Sequence, residues 1–204
     1  MEILRSLKPK YLKEFYRYIR NFKYEITDDG DILLPIKAII GGYFVTDVNG
    51  ENEDWSKNVV TNEGLDDVLD VYLHNSTQTS TWYVSVFEGN VTPAATWTGA
   101  NYVSNATEVS TPGDVDDGSG GSVTRQEYEE AAASSQSTDN LSNKASFTVS
   151  NAGGITLYGG ALLSVSTIGG TTGVCFASSK FSSSRALADN DVINIGYTIA
   201  IASA

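Results

Sequence analysis

Between Pro9 and Phe22 the apolar positions recur with a helical period. Leu12, Phe15, Tyr16, Ile19 and Phe22 fall on one side at about 100° per residue, while Lys10, Lys13, Arg17 and Arg20 gather on the other. Pro9 suits a first turn, where its missing N–H costs nothing. The pattern predicts a short cationic amphipathic helix with an aromatic-rich apolar face. Such a helix can cap its own body, dock on a neighbouring protein, or meet a nucleic acid or membrane surface.

Further along, the period shortens. TDDGD (27–31) predicts a turn and lacks the spacing and closing glutamate of a calcium loop. ILLPIKAIIGGYFVTDV (32–48) reads as strand, glycine bend, strand, and VNGENEDW (48–55) as a polar loop turning at Asn49-Gly50. TSTWYVSVFEGN (79–90) reads as a strand with large side chains on both faces, hence central or interfacial. VTPAATWTGANYV (91–103) reads as a loop leading to a short strand. STPGDVDDGSGGSVT (110–124), nearly devoid of apolar residues, is expected to be a mobile acidic surface loop. RQEYEEAAASSQSTDN (125–140) is ambiguous between helix and coil. KASFTVSN, ITLYGGALLSV, GVCFASSKF and DVINIGYTIAIA are four strands divided by Gly/Asn turns. About eight strands and one helix follow from Ile36 onward, an antiparallel sandwich or barrel.

The exception in this β-patterned region is NVVTNEGLDDVLDVYLHN (58–75). Leu65, Val68, Leu69 and Tyr72 occur at helical spacing, with Val71 and Leu73 widening the stripe. Thr61 or Asn62 can cap the helix, and Glu63, Asp66 and Asp67 then offset the positive end of its dipole. His74, the one histidine, falls at the C-terminus. Glu63, Asp67 and Asp70 share a face expected to lie open to solvent. A structural helix explains every residue here without a metal or acid–base site.

Composition sharpens this picture at two points. The net charge of −12 is divided between a basic segment and an acidic remainder. Residues 1–24 carry seven basic and two acidic side chains, +5, which leaves −17 for the rest. With one cysteine no intrachain disulfide forms, and Cys175, in an apolar strand, is expected to be a buried small hydrophobe. No apolar run is long enough to cross a membrane as a helix, and the charged N-terminus does not resemble a signal peptide. Nucleotide-binding glycine loops, a zinc ligand set and a GxSxG elbow are all missing from the sequence. No pair of carboxylates is singled out for glycoside hydrolysis. The expectation is a protein without enzymatic activity, cofactor or metal.

Three blocks, NVVTNEGLDDVLDVYLHNSTQTSTWYVSVFEGNVTPAA, RQEYEEAAASSQSTDNLSNKASFTVSN and YGGALLSVSTIGGTTGVCFASSKFSSSRALADNDVINIGYTIAIA, resemble a group of tailed-bacteriophage virion proteins. The likeness covers about three quarters of the chain, in order, from Asn58 onward. Ser85-Val86 replaces the glycine-leucine usual after TWYV, and the 110–124 loop is extended by an acidic insertion. The resemblance implies a capsid decoration (cement) protein on the virion exterior and supplies no catalytic residues. The expected fold is mainly β, an antiparallel, jelly-roll-like β-sandwich with one inserted helix and an N-terminal amphipathic helix. Residues 1–30 would form the arm and 31–204 the body. The expected partners are the major capsid protein and further copies of the chain in a homo-oligomer. No small-molecule substrate or membrane is expected, and the acidic body opposes nucleic acid. Lys10, Lys13, Phe15, Tyr16, Arg17, Arg20 and Phe22 are the expected shell or subunit interface. The alternatives are a tail, baseplate or fibre-attachment component, or a carbohydrate-binding host-attachment module stacking sugars on Trp55, Trp82 or Trp97.

Overall fold

A computed structural model describes residues 25–26, 32–33, 38–109, 115–116 and 125–203. The chain divides into two compact units, residues 1–39 with 202–204, and Ile40–Ile201. The expected amphipathic helix, its seven interface residues and the TDDGD turn lie outside the described residues. In the first unit, β1 (Glu25–Ile26) and β2 (Ile32–Leu33) pair antiparallel, Glu25 opposite Leu33.

The second unit is mainly β, with two antiparallel sheets and few helices. One sheet has the order β4 (Glu51–Lys57), β3 (Ala38–Val48), β13 (Val192–Ser203), β10 (Ala145–Val149), β7 (Val115–Asp116), with β9 (Ser137–Asp139) also on β13. The other runs β5 (Val59–Val60), β12 (Cys175–Leu187), β11 (Ile155–Leu163), β6 (Tyr83–Phe87), β8 (Gln126–Glu127). Their facing side chains share one core, in a sandwich-like arrangement: Phe44, Phe147, Ile193 and Ile195 from the first meet Val84, Leu157, Leu162 and Phe176 from the second. The rings of Phe44 and Tyr197 pack tilted at 44°, with centroids 4.7 Å apart, a contact worth about 0.5–1.5 kcal/mol beyond burial. Arg185 on β12 reaches across to donate to Thr46 Oγ1 on β3 at 2.9 Å.

The second sheet is covered on both faces. Val84 and Val86 of β6 enter the shared core, while Phe87 packs with Trp97, Tyr102, Ala106 and Leu163 on the far side. That is why β6 carries bulk on both faces and is internal to its sheet, as its pattern predicts. The covering element is a helix, α2 (Tyr102–Ala106), where a short strand was expected. Tyr102 and Ala106 are the buried pair, and their spacing is one helical turn. Asn101 Oδ1 accepts from the Thr98 N–H at 2.8 Å and sets the turn.

Other expectations change in detail. β3 continues through Gly41-Gly42 as one uninterrupted strand. A Cβ on Gly42 would overlap the Thr198 carbonyl of β13, so this glycine permits close strand approach. The loop expected over 48–55 shrinks to Asn49-Gly50, with φ of 53° and 79°, and β4 begins at once. Within the expected 110–124 loop, Val115 and Asp116 pair with β10, and Val115 is fully buried. The 125–140 stretch is not helical: β8 leads to a turn at Ser135-Gln136, φ 52° and 64°, and on to β9. All four strands expected in the last third are present as β10 to β13, β12 being longer than its pattern suggested.

Candidate interaction surface

The helix at 58–75 forms as expected. α1 (Asn62–Leu73) is capped by Thr61, whose Oγ1 accepts from the Gly64 N–H at 2.9 Å and donates to the Cys175 carbonyl. The Thr61 N–H donates to the Phe176 carbonyl at 3.0 Å, and Gly64 lies against the Phe176 backbone, where a Cβ would not fit. Glu63 is not open to solvent as expected. Its Oε2 accepts from the backbone N–H of Cys175 at 2.7 Å and of Gly99 at 2.8 Å. The first turn is thus bolted to β12 by backbone contacts too close for its apolar stripe to decide the packing.

The stripe pays no heed to its expected orientation. Gly64 is the buried residue of α1, Val68 packs against the core at its edge, and Leu69, Tyr72 and Leu73 stand 54%, 78% and 81% exposed. Between α1 and the neighbouring ends of both sheets lies a groove of about 390 Å³. Val68, Val71, Tyr72, Trp82, Phe176 and Ile199 line it, and Asp67 and Glu130 supply carboxylates. Burial, with the charges of Asp70 and Glu63 added, pushes the Asp67 carboxyl above its ordinary value. Asp66 and Asp70 are exposed on the same helix, and His74 Nδ1 lies 3.8 Å from Asp70, both side chains in solvent.

A second cluster is not singled out by any spacing or motif in the sequence. Arg125 and Glu108 form a buried bidentate pair, Nε to Oε1 at 2.7 Å and Nη2 to Oε2 at 3.0 Å. Glu108 also accepts from Ser85 Oγ at 2.5 Å and from the Gly169 N–H at 2.8 Å. Tyr102 donates to Ser85 Oγ at 2.9 Å, and Arg125 donates to the carbonyls of Val165 and Gly170. The network joins β6, α2, the start of β8 and the 164–174 turn. Among the described residues no buried side-chain nitrogen or oxygen lacks a partner, so no orphaned group here calls for a ligand. Arg125 could have been noticed as a lone cation between a polar run and β8, but its partner lies 17 residues away in an unremarkable TEVS.

The three tryptophans separate. Trp97 is buried, Trp82 packs edge-on to Phe176, and Trp55 is 48% exposed beside Tyr43, ring centroids 6.0 Å apart. Next to this pair Lys144 Nζ bridges Asp47 at 2.8 Å and Glu53 at 3.2 Å. Burial pushes the Asp47 carboxyl up, but hydrogen bonds from Asn194, Lys144 and the Gly50 N–H outweigh it and hold the group below its ordinary value. Cys175 is buried, and desolvation pushes its thiol up to about 12. Among the described residues no group of three or more His, Cys, Asp or Glu is placed to hold a metal ion, and no helix is long and apolar enough to cross a membrane.

Fold and surface together define a mainly β body that leaves an apolar, carboxylate-flanked groove on its outside. The chain matches no protein-family model, and a search of curated proteins finds no match.

Proposed function

We propose that this chain is a structural protein of a tailed-bacteriophage virion, a capsid decoration protein that binds and stabilises the shell from outside. Its body would be a jelly-roll-like sandwich and its basic N-terminal segment an amphipathic helix. The observation that carries the reading is where the virion-protein-like blocks fall. They cover β5, α1, β6, β8 to β10, β12 and most of β11 and β13, strands of both sheets that include every residue lining the groove. The fully paired buried polar network fits a body that must keep its shape outside a cell, and the outward apolar side chains of α1 fit one that must adhere. The partners would be the major capsid protein and further copies of the chain. Quantitative mass spectrometry of purified virions tests this. A copy number comparable to that of the major capsid protein supports the reading, a few copies per particle would move the protein to the tail or baseplate, and absence would refute it.

One observation favours a second reading, a carbohydrate-binding module for host attachment: the exposed Tyr43–Trp55 pair beside the Lys144, Asp47 and Glu53 hydrogen-bonding groups. Binding on a glycan array that Trp55→Ala abolishes would support it; an array without signal would set it aside.

A further inference from the structure

The groove beside α1 asks for an occupant with an apolar stripe and positive charge. Its walls are aliphatic and aromatic, and its polar groups include the Asp67 and Glu130 carboxylates. The chain carries one segment of that chemistry. From Pro9 to Phe22, Leu12, Phe15 and Ile19 recur at the spacing of helix-in-groove anchors, and Lys10, Lys13, Arg17 and Arg20 flank them. Fourteen residues in helical form would extend about 21 Å, four turns. Every copy brings one segment and one groove, so supply and demand match in an assembly of copies.

Charge argues that the segment crosses to another copy. Residues outside the first 24 carry −17, so bodies brought side by side repel unless a cation lies between them. The +5 segment is the concentrated source of positive charge in the sequence. We infer that residues 9–22 of one copy dock in the groove between α1 and the sheet ends of a second copy, apolar side chains against Val68, Val71, Tyr72 and Trp82, basic ones toward Asp67 and Glu130. The inference rests on the homo-oligomeric part of the proposed function and names the contact that would build the oligomer. The contact is heterologous, one patch meeting a different one, and closes into a ring when the rotation between copies permits.

The test uses the full-length chain. Unlabelled and heavy-nitrogen-labelled protein are refolded together in equal amounts and treated with a zero-length carbodiimide, which joins an amine to a carboxylate in direct contact. The expected products join Lys10 or Lys13 of one isotope to Asp67 or Glu130 of the other, in the proportion set by random mixing. Molar salt should reduce their yield several-fold. Tyr72→Lys, at a position 78% exposed and therefore harmless to folding, should also reduce it several-fold with the unfolding midpoint unchanged. Same-isotope products alone would mean that each groove takes its own chain's segment and would overturn the exchange. Links to carboxylates far from the groove, such as Asp189, would overturn the site, and so would links that Tyr72→Lys leaves intact or no links at all. The virion copy number is measured separately, so a shell protein without these links loses the groove contact alone, while links in a protein absent from virions would leave the contact standing without the shell.

Discussion

At the scale of single residues, a few buried positions leave little room for substitution. Arg125 and Glu108 are buried together with every hydrogen-bonding atom engaged, so removing one leaves the other charged and unpaired. Arg125→Met should cost about 3–5 kcal/mol, read as a lower urea midpoint, and adding Glu108→Leu should recover part of that loss. Gly42→Ala should cost about 1–3 kcal/mol because the new methyl meets the Thr198 carbonyl, whereas Gly41→Ala, with open space at its Cβ, should be close to neutral. Two carboxylates should give opposite pH dependences. The pKa of Asp47 is depressed in the folded state, so its stabilisation is present above the unfolded value of about 3.9 and is lost as pH falls through the folded one. Asp67 is raised, so ionising it is penalised on folding and the penalty appears as pH climbs from about 3.9 through the folded value. Thermal melts should therefore show Asp47→Asn less stable than the parent at pH 7 and Asp67→Asn more stable, with both differences shrinking toward pH 3.

At the scale of elements, periodicity revealed what forms and proximity decided how it sits. The strands after residue 144 and β6 were legible because alternation and turn residues are local signals. α1 was legible for the same reason, yet its outward face was not. Its orientation depends on Glu63 meeting two amides, one 36 and the other 112 residues away, which no local pattern encodes. The groove is invisible to sequence for that reason, being made from residues spread between Asp67 and Ile201. Likewise α2 is hidden because one turn of helix, Tyr102 to Ala106, is too short for a period to emerge. If the cap is what seats α1, Thr61→Ala should cost about 1 kcal/mol or somewhat more, since its hydroxyl also donates to β12. Leu73→Ser, 81% exposed, should leave the chemical denaturation curve within about 0.5 kcal/mol of the parent.

At the scale of the whole molecule, charge separation should govern adhesion. With +5 in the first 24 residues and −17 elsewhere, if the chain binds a capsid shell as proposed, deleting residues 1–24 should weaken that binding in co-sedimentation with shells lacking the protein, while circular dichroism still reports a folded β body. Retention that survives molar salt would assign the grip to the aromatic face instead. The strand order carries a consequence for how such a protein is made. β13, synthesised after every other strand of its sheet, lies at the centre of that sheet, between β3 on one side and β10 and β9 on the other. Until it emerges, β3 and β10 have no partner joining them, and the first sheet exists only as hairpin and fragments. A chain ending before Val192 therefore lacks the strand that joins β3 to β10, and with it the core side chains Ile193, Ile195 and Tyr197. The first sheet is therefore the part of this fold that forms last as the chain is made, and its centre is the strand that arrives after all its neighbours.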